Sequence, residues 1–136
     1  MPKKKRKKAA PRKHRFTRGL YGWITHTDFA SHDPVATKEW CAKVLGWKFG
    51  PSFPSAGGEY HLFSYSPKGG GGIRKIDASE QPGSLPHVHV KSATKTFAKA
   101  LKQGAEVITP PTRVMKGVTI VVVRAPGGVP IGFSGP

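Results

Sequence analysis

Residues 21–29 read YGWITHTDF, a β-branched and aromatic stretch interleaved with polar positions, and this predicts a strand. Ser31-His32-Asp33-Pro34 then has the form of a helix start, with Asp33 as N-cap and Pro34 at the first helical position. Val35, Trp40, Cys41, Val44 and Leu45 recur at helical spacing, which predicts a helix ending at Gly46 as its C-cap. Trp23, Trp40 and Phe97 are expected in the core, and Cys41 as a buried small hydrophobe beside Trp40. A short strand over 47–49, a loop over 51–58, and strands over 59–65 and 73–76 complete this half. The glycine-rich stretch 67–72 between those strands is expected to be a hairpin turn. It lacks the lysine and hydroxyl of a phosphate-cradling loop and does not lead into a helix.

After a linker over 77–85 the same order returns. Strand 87–91 precedes a helix from Ala93 to about Gln103 with Gly104 at its end, then strands over 106–108, 118–124 and 130–133. The body thus reads strand–helix–strand–strand–strand, twice, a repeat of about 60 residues whose units each cover one sheet face with their own helix. Two helices for about eight strands disfavour a doubly wound parallel sheet and point to an α+β domain.

Charge divides the chain differently. Residues 1–18 hold ten Lys/Arg and no acid, while the remaining 13 basic and 7 acidic residues leave the body at +6 of the total +16. A segment with so little to bury and so much like charge is expected to be a mobile arm, giving the division 1–18 arm and 19–136 domain. Lys3, Lys4, Lys5, Arg6, Lys7 and Lys8 form a cluster suited to a nucleic acid or other polyanion, bound non-specifically by counterion release. The same run fits a nuclear-localisation signal if the source has a nucleus, or a purely solubilising arm. A single cysteine excludes an intramolecular disulfide and fits a reducing, cytoplasmic setting. No apolar run approaches the roughly 20 residues needed to cross a bilayer.

Several strings in order resemble the vicinal-oxygen-chelate superfamily of glyoxalases, bleomycin-resistance proteins and extradiol dioxygenases. They are Ile24-Thr25-His26, Asp33-Pro34, residues 40–49 (WCAKVLGWKF), residues 97–105 (FAKALKQGA) and residues 125–131 (APGGVPI). The resemblance spans nearly all of 20–135. It implies two βαβββ modules forming a half-open barrel, a homodimer, and, in an active member, lyase or dioxygenase-like chemistry. It also implies four metal ligands inside the cup, from the first and fourth strands of each module. His26 stands at the first of these positions. The matching offset in the second half reaches Leu85, the last strand has Gly132 where a carboxylate is usual, and the fourth strand has no acid before Asp77. A divalent ion needs three or four suitable donors, so no cofactor is expected in the standard place.

Period-two alternation places Ile24, His26 and Asp28 on one face and Leu85, His87 and His89 on the equivalent face of the repeat. If both faces line the cup, His26, Asp28, His87 and His89 converge. They can then hold a divalent metal in a non-standard set (His26, His87, His89), bind an acidic or hydroxylated ligand, or simply hydrogen-bond locally. His61 alternates with Phe63 and Tyr65, and Tyr60 and Trp23 are further aromatic lining candidates. Arg74 can meet an anion or serve as a solvated edge charge. The favoured expectation is a small organic ligand bound between the modules by His26, Asp28, His61, Phe63, Arg74, His87 and His89, without the standard metal. The alternative is an interaction module docked on a polyanion by its arm.

Overall fold

The computed structural model describes residues 21–55 and 57–136. The arm over 1–18 lies outside the described residues. In chain order the elements are β1 (Ile24–Ser31), α1 (Pro34–Leu45), β2 (Lys48–Phe49), β3 (Phe53–Ser55), β4 (Gly58–Ser66), β5 (Gly69–Lys75) and β6 (Gly83–His89). There follow α2 (Ala93–Lys102), β7 (Glu106–Met115), β8 (Val118–Arg124) and β9 (Pro130–Gly135). No helix among the described residues is long and apolar enough to cross a membrane.

Both helices start and stop where their capping chemistry dictates. The Asp33 side chain accepts from the Ala36 N–H at 3.1 Å, Pro34 opens α1, and Gly46 closes it in the left-handed region at φ 72°. Ser92 does for α2 what Asp33 does for α1, accepting from the Lys95 N–H at 3.2 Å. The strands form one mixed sheet in the order β2-β4-β5-β1-β6-β9-β8-β7, with β3 paired to β4. Its terminal strands do not pair, so the barrel stays half open. The architecture is α+β, two helices on one curved sheet.

The two halves meet where β1 runs antiparallel to β6, pairing His26 with His87 and Asp28 with Leu85. Within each half the first strand runs parallel to the last, Asp28 beside Gly72 and His87 beside Gly132. A local two-fold axis between β1 and β6 therefore makes His26 equivalent to Leu85, Asp28 to His87, and Gly72 to Gly132.

Each half buries its own apolar cluster under its helix. In the second, Ala93, Val121 and Val123 are fully buried, with Phe97, Ala100, Ala105 and Phe133 packed against them. In the first, Cys41, Phe63, Ile73 and Ile76 are buried, and Phe63 stacks on Trp47 at 4.4 Å between ring centroids. Trp40 is not core: it is 57% exposed, as are Val35, Val44 and Leu45 to similar extents. Successive helical residues point about 100° apart, so with Cys41 turned inward its neighbour Trp40 faces outward. Trp23 also lies on the surface, 36% exposed.

The glycine-rich stretch departs most from expectation. Only Pro67 and Lys68 turn, and glycines 69–72 are the first half of β5. A Cβ on Gly70 would run into the Phe63 carbonyl, one on Gly71 into the Thr27 carbonyl, and one on Gly72 into the Tyr60 ring. The glycines let a strand lie between two close neighbours. β7 also runs on through Pro110 and Pro111, with three register irregularities against β8. It tolerates them because, among the described residues, it is an edge strand with one partner.

Candidate functional site

Beyond an irregularity between Ile24 and His26, β1 presents His26 and Asp28 on the face away from the helices. The same face receives Tyr60 from β4, Arg74 from β5 and His87 from β6. His26, Tyr60, Asp28 and Arg74 form a continuous polar chain, with His87 beside it. His26 Nε2 lies 2.7 Å from Tyr60 Oη, and the Tyr60 hydroxyl donates to Asp28 Oδ1 at 2.7 Å. Arg74 Nε donates to Asp28 Oδ2 at 3.0 Å, and the far side of its guanidinium meets Glu80 at 2.6 and 3.3 Å.

Proton bookkeeping along this chain fixes a tautomer. A phenol has one hydrogen and a carboxylate only accepts, so the Tyr60 proton points at Asp28. Burial and the neighbouring Asp28 charge push the Tyr60 phenol far above its ordinary range, so that proton stays. The phenol oxygen can then only accept from His26, which must carry its hydrogen on Nε2. Burial lowers the pKa of His26, against a smaller opposing pull from Asp28, and so favours the neutral ring. Its Nδ1 is left as a bare lone pair. It has no hydrogen-bond partner among the described residues. His26 also lines an open hollow of about 620 Å³, together with Thr25, Leu62, Ser64, Lys68 and Gly70, all from the first half of the chain. Of the polar chain, only His26 lines that hollow.

His87 stands edge-on to His26 with ring centroids 5.8 Å apart. Burial and then the nearby His26 push its pKa down, so it too favours the neutral form. Its ring lies flat on Gly132, where an added Cβ would approach Nδ1 to 2.5 Å. Tyr60 covers Gly72 in the same way. Both last-strand positions at the two-fold thus serve as floors for rings from other strands.

The remaining sequence candidates lie elsewhere. His89 stacks on Tyr21 at 5.4 Å, apart from His26 and His87. His61 and Phe63 point to the opposite face of β4 from Tyr60. Phe63 belongs to the aromatic cluster with Phe29 and Trp47, and His61 is buried with Nδ1 unpartnered. Tyr60, expected only as aromatic lining, is the link between His26 and Asp28. Glu80 had no signal at all.

The positions that the resemblance assigns to a metal are His26, Leu85, Gly132 and the fourth strand around Gly72, which supply one donor. The glycine floors are filled by rings, and no three His, Cys, Asp or Glu side chains among the described residues are placed to share an ion. The side chains present do not fit the superfamily's metal, nor the non-standard set His26, His87 and His89.

No family model matches the sequence, and no curated protein does. Solved structures do. Methylmalonyl-CoA epimerase from Mycobacterium tuberculosis superposes with a TM-score of 0.70 at 18% identity, over 90% of this chain and 93% of that one. A hypothetical protein from Bacillus halodurans gives 0.66 at 16% identity, over 82% and 91%. Methylmalonyl-CoA epimerase from Streptomyces coelicolor, in complex with 2-nitronate-propionyl-CoA, gives 0.63 at 18% identity, over 85% and 97%. At such identities the likeness speaks for the architecture alone. With its paired modules and open cup, the chain has the vicinal-oxygen-chelate fold.

Proposed function

We propose that the open cup face of the sheet, in a hollow walled by the first module, binds a small organic ligand without a metal. The observation that carries this reading is His26: its Nε2 is fixed by Tyr60, and the residue lines an open hollow of about 620 Å³. That volume falls within the range of roughly 300–1,000 Å³ usual for small-molecule sites. His87 offers a second neutral imidazole close by, and Asp28 and Arg74 hold the arrangement from behind.

A thermal-shift screen across small organic acids, phenols and carbonyl compounds tests the reading. At a hundredfold excess over Kd a ligand stabilises the native state by about 2.7 kcal/mol, a rise of several degrees in Tm. The rise is expected to disappear in His26→Gln and to survive chelator. A screen in which no compound shifts Tm, or in which every shift persists in His26→Gln, removes the proposal.

A second reading is favoured by the ten Lys/Arg without an acid in residues 1–18. The arm would dock the domain on a polyanion, with Lys3, Lys4, Lys5, Arg6, Lys7 and Lys8 at the phosphates. Affinity for duplex DNA should then fall steeply with salt, with a log–log slope of about −0.9 for each phosphate neutralised. A chain starting at residue 19 should lose most of that slope. Equal affinity of the two chains would end this reading.

A further inference from the structure

We infer that the outer face of α2 is a second contact for a nucleic-acid backbone, with Lys91, Lys95, Lys99 and Lys102 at the phosphates. The inference rests on the polyanion reading of the arm and adds to it a folded surface and the class of partner.

Charge is shared unevenly between the two modules. Residues 19–82 hold six Lys/Arg and six acids, whereas residues 83–136 hold seven Lys/Arg and a single acid, Glu106. That acid stands beside Arg124 in the register of β7 and β8. The body's whole excess of positive charge thus belongs to the second module, and much of it lies in one line. At about 100° per residue, Lys95, Lys99 and Lys102 fall within about 60° of one another. They lie opposite Ala93, Phe97 and Ala100, which pack in the core. All three are exposed, and both ion pairs among the described residues are made by Arg74, not by them.

Neither the repeat nor helix stability demands this line. Counted from the N-caps, the matching positions of α1 are Ala36, Trp40 and Lys43. Lys95 is the third residue of α2, where Ser92 as N-cap would favour Glu and where the helix dipole opposes a cation. The line also begins where the arm ends. Lys91 precedes the N-cap, and its Nζ lies 5.5 Å over the ring of Tyr21, which stacks on His89. Tyr21 follows Arg18, the last basic residue of the arm, by three positions, a tether of at most about 10 Å. A backbone held by the arm therefore meets Lys91 first and can continue along α2. A lipid surface fits less well. A helix binds one through apolar side chains beside its cations, and the apolar face of α2 is turned to the core.

Anisotropy titrations of a labelled DNA duplex of arbitrary sequence, repeated over a range of NaCl, test this on the full chain. The triple variant Lys95→Gln, Lys99→Gln, Lys102→Gln keeps nearly the same helix propensity. It should make the log–log salt slope shallower by about 2.7. Lys43→Gln with Lys48→Gln and Lys75→Gln removes the same charge from exposed positions of the neutral first module and should leave the slope as it was. Equal losses in the two triple variants would reduce the effect to net charge, and an unchanged slope in the first would leave the arm acting alone. Either result overturns the inference, as does a full chain that binds no duplex at low salt. Lys95→Glu completes the capping box, so it should melt no lower than the parent and still bind more weakly; parental affinity would count against the stripe. Vesicles containing phosphatidylserine are the remaining probe. A first triple variant that loses the vesicles and keeps the duplex would give the surface to a membrane instead. The arm reading is decided by removing 1–18, and this one by α2 variants that keep the arm, so the two can fail separately.

Discussion

Gly71→Ala is expected to cost about 3 kcal/mol of stability, toward the upper end of what overpacking does. Gly71 sits in β5 between Thr27 of β1 and Phe63 of β4, and a methyl there meets the Thr27 carbonyl and the tip of the Phe63 ring. The Phe63 ring can rotate only into the aromatic cluster it already fills, and the carbonyl belongs to the strand ladder. Relief therefore requires β1 and β5 to separate, which loosens the wall that carries His26 and Asp28. Denaturant unfolding of the two proteins measures the difference. Gly83→Ala is the control, because nothing lies within 4 Å of its added methyl. It should stay within about 0.5 kcal/mol of the parent, as open surface sites do. A Gly71→Ala protein as stable as the Gly83→Ala one would mean that the strand is not squeezed.

Mild acid should also destabilise the fold, and the sign follows from the two site histidines. His26 and His87 both have folded pKa values below the ordinary 6.5 because burial opposes their charged forms. The unfolded chain then binds more protons than the native one in the interval between those values, so stability rises with pH there. Stability should be level above about pH 6.5 and should fall as pH drops from there through the folded values. The acids Asp77 and Glu80 have lowered pKa values of their own, so their contribution is lost only further down, below the ordinary carboxylate range. Denaturant midpoints compared at about pH 7.5 and about pH 5 isolate the histidines. His87→Phe, which keeps a ring over Gly132, should flatten the fall, and adding His26→Gln should flatten it further. An undiminished fall in the double variant would show that other groups carry it.

Much of this architecture was legible in the sequence because it is local. Asp33-Pro34 and Gly46 bound α1 through backbone chemistry that depends on few neighbours, and the order of elements exposed the repeat. What stayed hidden depends on neighbours distant in the chain. A glycine that avoids a neighbouring strand and a glycine that turns the chain look alike until that strand is in place, so 69–72 read as a turn. Trp40 has core character by residue type, yet its direction was set by Cys41 facing inward. At the site, alternation placed His26 with Asp28 and His87, but it could not weigh Tyr60, 34 positions from His26 and 32 from Asp28. His61 went the other way: it alternates with Phe63, and that shared face is the buried one.

Glu80 lies in the stretch joining the two halves, between β5 and β6, and it grips the guanidinium whose other edge holds Asp28. The crossover between modules is thus clamped to the wall of the cup. Lengthening or nicking that crossover would be felt at His26 through three side chains, although the cut itself lies on the surface. A circular permutant opened there would report how firmly the halves hold their alignment once the strap is released.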